Sequence, residues 1–243
     1  IAAMTGNPAP RLKDKAVVLF AADHHIADHG LSLTSTDVTY IQTRNFLQGG
    51  GTINAFTRNA GARLSVVDVG VNYDFGDLPG LVKRKVMHGA NDFSKEPAMT
   101  REQALECLQV GIDMAREEKN TGLDIVAAGE MGIGNTTPSS AIVAVLTGTP
   151  VETVTGRGSG VRGEVIRKKI KLIEQGITLN KPDPSDAIDV LAKVGGPEIG
   201  AMAGLMLGAA SLRVPIVIDG FIAGAAAAIA QGIRPEAAQY FIG

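Results

Sequence analysis

The segment AADHHIADHG, residues 21–30, sets three of the chain's four histidines (His24, His25 and His29) and two aspartates (Asp23 and Asp28) within seven residues. Imidazole and carboxylate together are ligands for divalent transition metals, so the cluster raises metal-dependent phosphoester hydrolysis. Such a site gathers ligands from several strand ends. Upstream of the cluster, however, the only aspartate is Asp14, ahead of the apolar run KAVVLFAA, and His88 is the only other histidine. The alternative is a polar loop whose side chains bond the nearby backbone.

Three further stretches could bind a ligand. In GEMGIGNTTPSS (129–140), glycines permit tight turning while Asn135, Thr136 and Thr137 offer donors where a helix would begin, a place that favours an anion. It lacks the Gly-Lys-Ser/Thr of a Walker loop and the spacing of a dinucleotide fingerprint. An acid inside that turn, Glu130, would point at whatever binds; otherwise the segment is a glycine-rich strand–helix turn. TGRGSG (155–160) precedes a segment carrying Lys168 and Lys169. Its glycine amides with Arg157 and Lys169 make either a phosphate cradle or a surface loop beside a snorkelling lysine. Asp219-Gly220-Phe221 closes an apolar run, where Asp219 could meet ligand hydroxyls or cap the next helix.

These stretches need strand ends to hold them. Near-continuous apolar runs at 16–21, 64–69, 123–128 and 214–219 predict strands of a parallel sheet covered on both faces. Between them, 101–117 predicts a helix with Leu105, Leu108, Ile112 and Ala115 on its buried stripe and a Thr100/Gln103 capping box. Ile166, Ile170, Ile173 and Ile177 mark another stripe. A helix over 186–194 ends at Gly195-Gly196 with Lys193 in its last turn, and 198–212 places Met202, Leu205, Met206 and Ala209 on one face. One α/β domain is the economical reading, with ligands beyond the carboxyl ends of the strands. The 243 residues are 45% hydrophobic and carry net charge −2, which gives no electrostatic case for nucleic-acid or membrane-surface partners. Lys83-Arg84-Lys85 reads as a solvated strand or loop face, and Ile216–Ala230 is too short and interrupted to span a bilayer. The single Cys107 excludes an internal disulfide and, with no leader opening the chain, suggests a reducing, cytoplasmic setting.

The loops, in this order, resemble the nicotinate-nucleotide–dimethylbenzimidazole phosphoribosyltransferase family, which makes the lower-ligand nucleotide of cobalamin. The resemblance is carried by AADHHIADHG, VTYIQTRNFLQGG, VVDVGV, EPAMTREQA, GEMGIGNTTPSSAI, GRGSG with Lys169, DVLAKVGGPEIGAMAGLMLGAA and PIVIDGFIAGAAA, over nearly the whole chain. It implies a Rossmann-like, mostly parallel α/β core over residues 1–243, lacking the family's extreme N- and C-terminal segments. It further implies a homodimer and no cofactor or metal. The reaction would be transfer of the phosphoribosyl group from nicotinate mononucleotide to a benzimidazole-type base. Similarity puts Thr34, Gln42, Glu130, Met131 and Gly132 around the base, and Gly156, Gly158, Gly160, Lys169, Asp219 and Gly220 around the phosphoribosyl group. The family's general base is a glutamate in a later Gly-Glu-Gly segment, so Glu130 is implied as a base-binding residue first and a proton acceptor second. His25 stands where the family has glycine. Two alternatives stay open: a nucleotide-binding relative that is non-catalytic or needs a partner subunit, and the metal phosphoesterase.

Overall fold

The computed structural model describes residues 1–158 and 160–243. Its strands are β1 (Lys15–Ala22), β2 (Ala62–Gly70), β3 (Leu81–Lys83), β4 (Ile125–Met131), β5 (Ile216–Val217) and β6 (Phe241–Ile242). All pair in parallel in the order β3-β2-β1-β4-β5-β6, the doubly wound order of the Rossmann fold. The helices are α1 (Ala2–Thr5), α2 (Asp37–Leu47), α3 (Thr52–Ala60), α4 (Arg101–Asn120), α5 (Thr136–Thr147), α6 (Val151–Val154), α7 (Glu164–Asn180), α8 (Ala187–Val194), α9 (Pro197–Ser211) and α10 (Phe221–Ile233). Short 3-10 turns cover His25–His29 and Pro235–Tyr240.

Alternation along β1 divides the core into two layers. Ala16, Val18, Phe20 and Ala22 join a large apolar cluster with α4, α5 and α7–α10, whereas Leu19 and Ala21 join a small one beneath α2 and α3. The heart of the large layer is α9, apolar almost all round and buried almost throughout, touching β1, β2, β4 and β5 on one side and α4 on the other. The two helices meet backbone to backbone: a Cβ on Gly111 of α4 would run into the Ala201 carbonyl oxygen. That crossing decides which face of α4 is buried. Cys107, Leu108, Gly111, Met114 and Ala115 turn inward, and Leu105, expected on the buried stripe, stands 46% exposed. The Thr100/Gln103 capping box forms in both directions. In α8 the Asp186 carboxylate accepts from the amides of Ile188 and Asp189.

Strand boundaries move in one place that matters. The expected 123–128 is observed as 125–131, so Glu130 and Met131 belong to the end of β4 and pair alongside Phe20 and Ala21 of β1. On α7 the buried positions are Lys169, Leu172, Ile173 and Gly176, while Ile166, Ile170 and Ile177 are half-buried. Lys169 is thus on the core side of its helix. Among the described residues, no helix is long and apolar enough to cross a membrane.

Candidate active site at the sheet switch point

The strand order reverses between β1 and β4, so the crevice of a doubly wound sheet opens where these two strands end. Asp23 and His24 leave β1 there, and Glu130 lies at the end of β4. Behind them the first turn of α9 presents Glu198, whose Oε1 lies 2.7 Å from His24 Nε2. Both side chains are essentially inaccessible, at 1% and 0% exposure, and Glu198 Oε2 has no partner among the described residues. Burial works against a charged His24, yet Glu198, Asp23 and Glu130 around it outweigh that and raise its pKa. Burial pushes the Glu130 carboxyl up, partly offset by Asn135, whose Nδ2 donates to Glu130 Oε2 at 2.5 Å. Asp23 is likewise raised by burial, although its Oδ2 accepts the Asn72 amide at 2.8 Å.

The three loop histidines do not converge. His24 pairs with Glu198, His25 Nδ1 with Asp28 Oδ2 at 3.1 Å, and His29 Nε2 with Asp92 Oδ2 at 2.8 Å. Each imidazole meets a different carboxylate, and among the described residues no set of three or more His, Cys, Asp or Glu side chains is gathered as metal ligands. The expectation that a loop of this kind only bonds its own backbone also fails, because two of its histidines reach carboxylates far away in the chain. His25 keeps a negative φ, so nothing in its backbone asks for glycine; its side chain borders a cavity of about 360 Å³ together with Asp23, Asp37, Tyr40 and Tyr73.

A second centre forms where α5 begins. Lys169 reaches up from α7, 1% exposed, and its Nζ donates to Thr136 Oγ1 at 2.7 Å. It has no acidic partner among the described residues, and burial alone lowers its pKa to about 8. Gly158 crosses directly over this pair with φ 51°, and a Cβ there would stand 2.8 Å from Thr136 Oγ1 and 3.7 Å from Lys169 Nζ. An unneutralised buried ammonium, a glycine backbone and a helix start therefore share one spot, which is the chemistry of an anion site.

The other expected residues distribute around these centres. Gly132 is buried beside Glu198 and Asn135, and Met131 packs on the opposite face of the sheet, against the α2–α3 layer. Thr34 is exposed near Ser32, and Gln42 accepts from Asn45 Nδ2 on α2. A Cβ on Gly156 would meet nothing within 4 Å, one on Gly160 would stand 3.5 Å from Leu33 Cδ1, and Ser159 of the same motif lies outside the described residues. Asp219 and Gly220 are exposed between β5 and α10. Gly220 is the cap of α10 with φ 85°, and no side chain caps that helix, so Asp219 does not serve that role. Sequence reasoning missed Glu198. Its signal was a lone carboxylate in the first turn of an otherwise apolar helix, GGPEIGAMAGLML.

The chain is similar to known proteins over its whole length. A nicotinate-nucleotide–dimethylbenzimidazole phosphoribosyltransferase of Geobacter sulfurreducens is 52% identical over 238 residues, covering 98% of this chain and 68% of that protein. One of the same name from Roseiflexus sp. (strain RS-1) is 52% identical over 242 residues, covering 100% of this chain and 69% of the other. The crystal structure of CobT from Thermus thermophilus superposes with TM-score 0.96 at 39% identity, covering 99% of this chain and 72% of that one. Matched from residue 1 to residue 243, the chain belongs to the phosphoribosyltransferase family DBI_PRT.

Proposed function

We propose that the protein transfers the 5-phosphoribosyl group of nicotinate mononucleotide to dimethylbenzimidazole or a related base, the activity for which its relatives are named, yielding nicotinate and an α-ribotide for cobalamin assembly. The observation that carries the reading is Lys169, a buried cation with no carboxylate to neutralise it among the described residues, set under Gly158 at the start of α5. A phosphate monoester would supply the missing charge, with Gly156 and Gly160 as the flanks of its loop and Asp219 and Gly220 as partners for the ribose. The acceptor base would lie across the end of β4, between Thr34, Gln42 and Met131 on one side and Glu130 and Gly132 on the other.

The chemistry asks for alignment and a proton acceptor. A lone pair on the base nitrogen forms the bond to the anomeric carbon from the face opposite the nicotinate. The carbon–pyridinium bond breaks, its electrons neutralise the pyridinium nitrogen, and configuration inverts. The remaining N–H proton of the base then has to leave; the family's general base is a glutamate of a later Gly-Glu-Gly segment, and Glu130, at this strand end, binds the base first and accepts the proton second. In the same reading the protein works in the cytoplasm as a homodimer, without nucleic-acid or membrane partners.

The test is to incubate the full-length protein with nicotinate mononucleotide and dimethylbenzimidazole and to resolve free nicotinate and the ribotide by chromatography, with and without chelator. Both products, undiminished by chelator, are expected. Binding of both compounds without product would identify a non-catalytic relative, and chelator-sensitive phosphoester hydrolysis would overturn the proposal.

A further inference from the structure

Resting on the transfer reaction proposed above, we infer that His25 is a specificity-determining residue for the acceptor base. With Asp23, Tyr40 and Tyr73 it forms an acceptor-rich end of the base slot, which selects a ring carrying a hydroxyl or amino donor on the edge remote from the reacting nitrogen. The chamber is the cavity of about 360 Å³ where the chain leaves β1 and β2. Small-molecule sites run from roughly 300 to 1,000 Å³, so it can hold part of a ligand. A neighbouring cavity of about 350 Å³ runs along α2 past Gln42, and the two share Tyr40 and Ile41. The slot assigned to the base therefore continues around Tyr40 into the chamber.

The walls define what would fill it. Tyr40 and Tyr73 stand with ring centroids 3.9 Å apart, and Phe75 lies 5.5 Å from Tyr40. The Arg44 guanidinium donates to the Tyr40 hydroxyl at 2.7 Å and so fixes that ring. Such a wall receives a flat aromatic. The carboxylates are of one kind and unopposed: Asp23, Asp28 and Asp37 border the chamber, and among the described residues no Lys or Arg does. Asp23 is 8% exposed, and its Oδ1 has no partner among the described residues. His25 completes the set. Its Nδ1 lies 3.1 Å from Asp28 Oδ2, which holds the ring hydrogen at that nitrogen and leaves Nε2 as an acceptor. A Cβ on Gly89 would stand 3.3 Å from this Nε2, so the ring edge rests against bare backbone and not against a competing side chain. Acceptors without donors are costly when a ligand displaces water from them. A hydroxyl or amino hydrogen on the base removes that cost, a methyl leaves it in place, and a ring carboxylate would be repelled by the three aspartates.

The test uses two bases of similar size that differ in the donor, 5-hydroxybenzimidazole and 5-methoxybenzimidazole, with nicotinate mononucleotide and the full-length protein. The ratio of their kcat/KM values is the readout. Wild type is expected to favour the hydroxyl compound by about tenfold or more, as sites built to hydrogen-bond a substrate hydroxyl do. In His25→Ala the ratio should fall toward one. A loss of packing alone would slow both bases together and keep the ratio. No preference in the wild type, or an unchanged ratio in the variant, overturns the inference. If His25→Ala does not fold, the nitrogen-15 shift of His25 Nε2 in the wild type decides. It should move on adding the hydroxyl compound and stay with the methoxy compound, and any other pattern overturns the inference. If the wild type forms ribotide from no base, the transfer reading has failed. The ratio of calorimetric Kd values for the two compounds then judges the selector by the same criteria, and absence of binding by both overturns it as well.

Discussion

Replacing Lys169 with methionine should make the free protein more stable and the liganded protein unattainable. Burial lowers the pKa of Lys169 from its ordinary 10.5 to about 8. At 1.36 kcal/mol per unit, keeping that ammonium charged in the fold costs about 3 kcal/mol. Methionine matches the stem and removes the charge, but it leaves Thr136 Oγ1 without its donor, a loss of about 1 kcal/mol. The net gain at pH 7 is then roughly 2 kcal/mol, or about 4–8 °C for a chain of this size. The pH dependence fixes the sign. With the folded pKa below the unfolded one, the unfolded chain binds more protons between about 8 and 10.5, so wild-type stability rises with pH through that window. The methionine variant lacks this rise, and its advantage vanishes above the window. Urea unfolding at pH 7 and pH 11, followed by far-ultraviolet circular dichroism, measures both. Mononucleotide at a hundred times its Kd should add about 2.7 kcal/mol to the wild type and nothing to the variant. A variant less stable than wild type at pH 7, or one that still binds the mononucleotide, would refute the assignment of Lys169 as an unneutralised phosphate partner.

Glu130→Gln should weaken base binding or turnover while calorimetry finds mononucleotide binding nearly unchanged; equal loss of both would show that the strand end does not face the base. Gly111→Ala drives a methyl into the Ala201 carbonyl, and urea unfolding should show a loss of roughly 3 kcal/mol or more. Asp92 is buried, but hydrogen bonds from Lys95, Ser94 and His29 outweigh that and hold its pKa at about 2. Its stabilisation is full above the ordinary carboxylate range and lost as pH falls toward 2. Asp92→Asn should therefore be the less stable protein at pH 6 and show a shallower decline in acid-unfolding curves.

The sheet was legible because its strands are buried on both faces, and VVLFA and VVDV declare that condition without help from the rest of the chain. The cap of α4 was legible because it is local: Thr100 and Gln103 are three residues apart and bond each other. The stripe of α4 was misjudged at Leu105 because hydrophobicity does not foresee that Gly111 would admit a second helix at backbone distance. β5 and β6, of two residues each, are too short to carry any period. At the site, Glu130 and Lys169 stood out as charged residues in apolar or glycine-rich settings, and the fold buries Lys169 fully and Glu130 in part. The His24–Glu198 contact spans 174 residues and follows from topology alone. No spacing rule reaches that far.

The backbone-to-backbone seam of α4 with α9 also sets how this molecule can change over time. Glycines at such a seam leave no side-chain slack to take up a shift, so α9 cannot slide, and the end of it bearing Glu198 is a fixed anvil. Across the crevice, α2 rests on the thinner layer, with exposed Ile41 along it and exposed Tyr73 at its border. Fluctuation, and tolerance to substitution, belong to that side. With the base seated against α2 as proposed, a lineage could retune which aromatic base it accepts by rewriting α2 residue by residue, while the α9 wall stays as it is.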